Sequence, residues 1–185
     1  MINLKYPQKE YIEEKLIHLS SKEILEYIED NKEAELFIIH GIIYYNNLDK
    51  IEEVLNKLET KKDKYKKYLF FVSEMGLGLD KFKYFLSKIN KVNLSLAYDI
   101  ITEEKETGSY DCIKCLINSN KISYSKIMDK NIDFVNNLFL YDIEQTFEVV
   151  KEDKFLMNIL LHNIEEMEEA SEIKKYLIKN KIEVF

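Results

Sequence analysis

The sequence contains no arginine and no tryptophan, and it has only one proline, four glycines and two cysteines among 185 residues. Sheet-rich domains of this length need turn-forming glycine and proline every few residues, so their scarcity excludes most sheet-rich folds. Arginine supplies the bidentate contacts that recognise phosphate and guanine, and its absence argues against recognition of nucleic acid. Two cysteines are too few for a disulfide framework, which indicates a reducing compartment.

The charge of the chain is negative, because 27 lysines stand against 34 acidic residues and give a net charge of −7. Such a charge repels nucleic acid and acidic membranes alike. No apolar run approaches the ~18 residues needed to cross a bilayer, and the first residues lack an apolar signal segment. We therefore expect a cytosolic protein without membrane association, in its producer or in a host. The many lysines, isoleucines and asparagines indicate an AT-rich genome, such as that of a bacterium or a virus.

A helical pattern recurs along the chain. In each copy an apolar segment is followed by a short polar turn and then by an amphipathic segment that begins with an aspartate or a serine. The apolar anchors of the amphipathic segments are 30 or 31 residues apart, once the fourth is shifted by one residue, and lie at Ile51, Phe82, Ile113, Ile143 and Ile173. A period in this range is typical of helical repeat proteins.

The fold predicted from this pattern is all-α, a single domain built as a helical-hairpin solenoid of about six helix pairs. The pairs are expected at residues 8–31, 34–59, 63–91, 93–121, 123–152 and 154–181. The first helices are expected at residues 35–45, 67–75, 94–104, 124–138 and 155–164. Asn46-Asn47, Gly76-Leu77-Gly78 and Gly108-Ser109 supply turns, because asparagine and glycine tolerate a positive φ. Each pair would cover the apolar side of its neighbour.

The repeats resemble degenerate ankyrin repeats. The segment from Tyr110 to Asn120 resembles the second half of the ankyrin pattern, in which an acidic residue precedes Ile-Val and two leucines. The segment from Phe37 to Asn46 matches the first half only at Ile39, His40 and Asn46. No repeat carries the family's Thr-Pro, and the steps are two or three residues short. The resemblance implies a binding surface made by first helices and turns, whereas a helical solenoid of another kind or a non-repetitive helical bundle is the alternative.

Residues that could carry chemistry are few and scattered. Cys112 and Cys115 form a Cys-x-x-Cys pair, but no second pair or nearby histidine completes the four ligands of a structural zinc. We expect both cysteines to pack in the core. His18, His40 and His162 lie in separate repeats, and we expect His40 to bond to backbone in a turn. The sequence therefore predicts no metal, no cofactor and no enzymatic activity.

Binding residues are expected among tyrosines at predicted turns and helix ends, among turn asparagines, and in the one basic stretch, Lys57 to Lys67. Tyrosine is common, with 13 residues, and its large, rigid, half-polar ring is a good interface anchor. The basic stretch is expected to be a solvated loop between repeats. The candidates are Tyr44, Tyr45, Asn46, Asn47, Lys61, Lys62, Lys64, Tyr65, Tyr110 and Tyr141.

The function expected from these features is that of a protein–protein interaction module. It would act as an adaptor or inhibitor on an unidentified protein by steric or electrostatic occlusion, for instance by neutralising a toxin or by interfering with a defence or host protein. A basic target would be steered by the negative charge. Two alternatives stay open: a nucleic-acid-binding helical repeat that uses Lys57 to Lys67, and an enzyme whose residues converge only in three dimensions.

Overall fold

The structure, a computed structural model, describes residues 16–58, 62–140, 142–167 and 169–182, and of Lys62 it describes the backbone only. This part of the chain is helical almost throughout, which confirms the all-α prediction. The chain forms two compact units, the N-terminal unit Met1–Lys88 and the C-terminal unit Ile89–Phe185. That all the repeats form one continuous domain stays a prediction.

The N-terminal unit is built from helical hairpins. Residues 16–18 end a helix, after which the described residues form α1 (Ser21–Asp30), α2 (Glu35–Tyr45), α3 (Leu48–Lys57), α4 (Lys62–Glu74) and α5 (Leu79–Ser87). A 3₁₀ turn over Lys32–Ala34 joins α1 to α2. Helix α1 contacts α3, and α3 contacts α5, whereas α2 contacts α4. Second helices thus pack on second helices, and first helices pack on first helices.

Polar caps fix where these helices begin. Ser20 forms a capping box with Glu23 at the start of α1, which satisfies backbone N–H groups that have no partner inside the helix. The Asn47 side chain accepts a hydrogen bond from the Lys50 N–H at 3.1 Å and starts α3. Gly78 precedes α5 with a φ of 88°, a conformation that glycine adopts without steric cost. The predicted turns at Asn46-Asn47 and Gly76-Leu77-Gly78 are confirmed.

The core of the N-terminal unit is made largely of isoleucine and aromatic side chains. Helix α2 contributes four fully buried isoleucines, and α4 contributes the fully buried Tyr68, beside Ile51, Phe82 and Phe85 from the second helices. Gly41 lies in the middle of α2, where a Cβ atom would come within 2.6 Å of Leu16 Cδ1. The absent side chain therefore allows α2 to lie close to the helix that ends at residue 18.

The C-terminal unit repeats the hairpin arrangement with a short addition. Its elements are β1 (Val92–Asn93), α6 (Leu94–Glu106), α7 (Tyr110–Asn118), β2 (Ile122–Ser123), α8 (Met128–Phe139), α9 (Ile143–Val150), α10 (Lys154–Asn163), a 3₁₀ turn (Ile164–Glu166) and α11 (Ala170–Lys179). Strands β1 and β2 are parallel, with Val92 opposite Ile122 and Asn93 opposite Ser123. Helix α6 packs on α8 and α8 on α10, whereas α7 packs on α9 and α9 on α11.

Two sequence predictions for the C-terminal unit are wrong in detail. The helix expected at residues 124–138 begins only at Met128. The reason is that the backbone N–H and carbonyl of Ser125 both bond to the Asn131 side chain, each at 2.9 Å, instead of to a helix. In the fourth hairpin, Ile143 is the first residue of α9 and is half-buried. Thr146 is the fourth residue of α9. The same position in the other second helices is held by Ile51, Phe82, Ile113 and Ile173.

The helix expected at residues 67–75 also differs, because α4 begins earlier, at Lys62. The basic stretch is therefore helical from Lys62 to Lys67 and not a solvated loop. Within the described ranges, no helix combines the length and the apolar character needed to cross a membrane.

Candidate functional site

A cleft of about 470 Å³ opens between α2 and α4 in the N-terminal unit. Five of its lining residues come from α2 and two come from α4, namely Phe37, His40, Gly41, Tyr44, Tyr45, Phe71 and Met75. We call this site the aromatic cleft. None of these side chains is a lysine or a carboxylate, so the walls offer ring faces, a thioether, two phenols and one imidazole.

The two helices contribute equivalent positions to the cleft. His40 and Phe71 are 31 residues apart, as are Tyr44 and Met75, and this separation is the step between the apolar anchors Ile51 and Phe82. The ring of His40 stacks on that of Phe71 with centroids 4.0 Å apart and planes 11° apart. The aromatic cleft is thus formed by two copies of the same helix face.

His40 is held by rings from the helix opposite. Besides stacking on Phe71, its imidazole meets the fully buried Tyr68 edge-on, with centroids 6.2 Å apart. The Nε2 atom is buried and has no hydrogen-bond partner among the described residues. Burial lowers the pKa of His40 below its ordinary value of 6.5, so the ring is neutral at neutral pH. The expectation that His40 bonds to backbone in a turn is wrong, because His40 lies in the middle of α2.

The rim of the cleft exposes apolar surface. Tyr44, Tyr45 and Met75 are between 37% and 44% exposed. The rings of Tyr44 and Tyr45 meet at a steep angle with centroids 4.7 Å apart. Apolar side chains grouped around a concave site mark binding surfaces more often than they mark free surface.

Of the residues predicted to bind, Tyr44 and Tyr45 line the cleft, whereas Asn46, Asn47 and Tyr65 serve the fold. Asn46 is buried, and its Nδ2 donates to the Ile42 carbonyl at the end of α2. Asn47 caps α3. Tyr65 is only 7% exposed and packs edge-on against Tyr68. Burial thus removes Asn46 and Tyr65 from the surface, contrary to the expectation.

The remaining predicted residues lie apart from the cleft or outside the described residues. Lys64 forms an ion pair with Glu35 at 2.5 Å, which joins α4 to α2. Tyr110 is half-buried at the start of α7 in the C-terminal unit, and burial raises its pKa. Lys61 and Tyr141 lie outside the described residues, as does the side chain of Lys62.

Sequence reasoning missed Phe37, His40, Gly41, Phe71 and Met75. Two signals could have found them. Phe37 and Gly41 are four residues apart, as are Phe71 and Met75, so each pair shares one face of a helix. The 31-residue step between the second helices also aligns α2 with α4.

The C-terminal unit holds a second, larger cavity of about 700 Å³ along α6 and α8, with charged side chains among its lining residues. The pairing of β1 with β2 holds Asn93 beside Ser123 at its edge, and Lys130 and Asp133 line α8. The side chains of Ser123, Lys130 and Asp133 are exposed. Water forms hydrogen bonds to such exposed polar groups. A ligand in this cavity would therefore gain less binding free energy than a ligand in the aromatic cleft.

The cysteines lie in the C-terminal unit and carry free thiols. Cys112 is buried, and burial raises its pKa to about 12, so it is a thiol and not a thiolate at neutral pH. Its packing agrees with the core role expected for it, while Cys115 is only half-buried. Across the described segments, no three histidine, cysteine or carboxylate side chains are grouped to hold a metal ion.

Comparison with protein-family models, with curated proteins and with solved structures found no match to the chain. The ankyrin resemblance therefore stays a prediction. Function is inferred below from the geometry and chemistry of the aromatic cleft.

Proposed function

We propose that this protein is a protein–protein interaction module whose N-terminal unit binds a partner through the aromatic cleft. The observation that carries the proposal is the group of exposed apolar side chains at the rim of a concave site walled by aromatic rings. An apolar rim gains free energy when a partner covers it.

The free energy available at the cleft is adequate for an anchor residue. Covering apolar surface contributes roughly 25 cal/mol per Å², so one large inserted side chain contributes a few kcal/mol, on the order of a hot-spot residue. Tyr44 and Tyr45 are suited to contact such an inserted side chain, because their rings lose little conformational freedom on binding. One anchor side chain of the partner, with the contacts around it, then provides the binding free energy that the proposal needs.

We also propose that the hairpins are ankyrin-like repeats stacked as in a helical solenoid within each unit. The packing of first helices on first helices and of second on second supports this arrangement. The equivalent placing of His40 with Phe71, and of Tyr44 with Met75, supports it independently. Repeat proteins present binding surfaces on one face of successive units, and here that face carries the cleft.

The mode of action proposed is occlusion, in which no bond is made or broken. A partner held at α2 and α4 has part of its own surface covered, which suits an adaptor or an inhibitor acting in the cytosol. Neutralisation of a toxin or interference with a defence or host protein are the forms we favour. The nucleic-acid alternative has less support, since Lys64 is engaged by Glu35 and the chain has no arginine.

A matched pair of variants tests the proposal. Met75→Glu puts a charge at the rim of the cleft, and Ile178→Glu makes the same kind of change at a side chain of α11 that is 71% exposed. We expect the wild type and Ile178→Glu to retain a stoichiometric partner from the native cell, and Met75→Glu to lose it at least tenfold. Equal recovery by Met75→Glu, with its thermal unfolding unchanged, would contradict binding at the cleft.

A further inference from the structure

We infer that the partner segment bound in the aromatic cleft is acidic, that it inserts one aromatic side chain, and that its carboxylates meet the lysines of α4. The inference rests on the proposed protein-binding function and adds the chemistry of the partner. It replaces the expectation of a basic target, which followed from the net charge of the whole chain.

The negative charge is unevenly divided between the two units. The N-terminal unit has 15 lysines against 16 acidic residues, a net charge of −1, whereas the C-terminal unit has 12 against 18, a net charge of −6. The segment from Lys62 to Lys67 at the start of α4 holds four lysines and one aspartate. The helix that forms one wall of the cleft therefore begins with the most basic stretch of the chain.

Two lysines lie beside the cleft, and none of its described lining residues is a carboxylate. Lys67 lies one helical turn before Phe71, is exposed, and has no ion pair or hydrogen bond among the described residues. Beside the rim, Lys81 Nζ donates to the Ile43 and Tyr44 carbonyls at 2.6 and 3.1 Å. Neither Lys67 nor Glu74, which precedes Met75, is among the lining residues. The side of the cleft toward the start of α4 is therefore the basic one, where an acidic segment meets opposite charge.

The chemistry of the walls favours an aromatic anchor. The rings of Phe37, Tyr44 and Tyr45 offer faces and edges to another ring. An aliphatic side chain fills the same space but cannot make the ring-to-ring contacts that aromatic pairs make.

The helix geometry sets the spacing between anchor and carboxylates. With a rise of about 1.5 Å per residue, Lys67 stands roughly 6 Å along the axis from Phe71 and roughly 12 Å from Met75. An extended segment spans about 3.3 Å per residue. The carboxylates of the partner are therefore expected about two to four residues from the anchor.

Short blocked peptides test this chemistry directly. The probe has three aspartates, a two-glycine spacer and one tyrosine, and its controls replace the aspartates with lysines or the tyrosine with alanine. Binding is followed by NMR of isotope-labelled histidine, in which His40 reports on the cleft while His18 and His162, both exposed, serve as references. We expect a saturable shift of His40 alone, with at least tenfold weaker binding of both controls.

Two lysine variants separate local charge from net charge. Lys67→Glu is expected to weaken binding of the acidic peptide at least fivefold, whereas Lys83→Glu, at an exposed lysine of α5, should leave binding within twofold. Equal or tighter binding of the lysine peptide, no shift of His40, or equal effects of the two variants would overturn the inference. If Met75→Glu abolishes partner capture while Lys67→Glu leaves it intact, the proposed function stands and only this inference fails.

Discussion

Lys50 and Lys81 make the same contact in two successive hairpins. Each is the third residue of a second helix, α3 or α5. Lys50 Nζ lies 3.4 and 3.3 Å from the carbonyl oxygens of Leu16 and Ile17, and Lys81 Nζ lies 2.6 and 3.1 Å from those of Ile43 and Tyr44. These carbonyls end the first helix of the preceding hairpin, where backbone acceptors lack helical partners and attract positive charge.

Removing this contact should loosen the wall of the aromatic cleft. We expect Lys81→Met to lower the free energy of unfolding by about 1–2 kcal/mol, because two carbonyls lose a charged donor. Lys83→Met, on the same helix but exposed, should change it by less than about 0.5 kcal/mol. Urea unfolding measures both variants, and equal stability of the two would show that the Lys81 contacts contribute nothing.

Gly41 is predicted to be replaced by alanine only with a loss of stability. Alanine is the better helix former by about 1 kcal/mol, but its Cβ would come within 2.6 Å of the fully buried Leu16, and overpacking costs about 1–3 kcal/mol. We therefore expect Gly41→Ala to be destabilising in thermal unfolding. In a double-mutant cycle, Gly41→Ala should be less harmful, or even stabilising, when Leu16 is already alanine, and additive effects would speak against the contact.

The titration of His40 should differ from that of an ordinary histidine. Burial lowers its pKa in the folded state, so the unfolded state binds the proton more readily and stability falls as the pH drops below about 6.5. His40→Phe keeps a ring against Phe71 and removes the titration. The unfolding free energy of His40→Phe minus that of the wild type should therefore rise from about pH 7 to pH 5, because only the wild type loses stability through this titration. A difference that stays constant over this range would refute the prediction.

Lys105 should cause a pH dependence in the C-terminal unit. It is 6% exposed, and its Nζ donates to the Asn137 carbonyl. Burial lowers its pKa to about 7, against a smaller opposite effect of Asp142. Between about pH 7 and 8.5 the unfolded state holds more protons, so stability should rise with pH by at most about 1.4 kcal/mol per pH unit.

Lys105→Met should remove this rise, because the variant has no amine to titrate. The window stops at about pH 8.5 because Cys112 acts in the opposite direction at higher pH. Its pKa is raised to about 12 in the folded state, so stability is lost once the unfolded thiol begins to ionise. Chemical unfolding at several pH values in this window gives the slope of the unfolding free energy against pH. Equal slopes for the variant and the wild type would rule out the effect of Lys105.

Much of the fold could be predicted because helix starts and turns are encoded locally. Helix α2 has the bounds expected from the sequence, and Gly76, Gly78 and Gly108 adopt the positive φ that their turns require. The anchor of the fourth hairpin cannot be predicted from a pattern of apolar residues. Thr146 fills that place instead, since its buried hydroxyl donates to the Leu138 carbonyl.

The candidate site could be predicted only in part. Tyr44 and Tyr45 were found because turn and helix-end tyrosines stand out in the sequence. Tyr65 was misjudged because the burial of a helical residue depends on where the helix begins, and α4 begins at Lys62. His40 looked like a turn residue because the sequence does not show that Phe71, one repeat later, stacks on its ring.

The central claim is that a partner covers the aromatic cleft, and methionine methyl groups report on it directly. The chain has five methionines, of which Met75 is 44% exposed at the cleft and Met128 is 54% exposed in the C-terminal unit. NMR of methyl-labelled methionine during titration with the captured partner should shift the Met75 signal and leave the Met128 signal in place. A shift of Met128 with an unmoved Met75 would contradict the account.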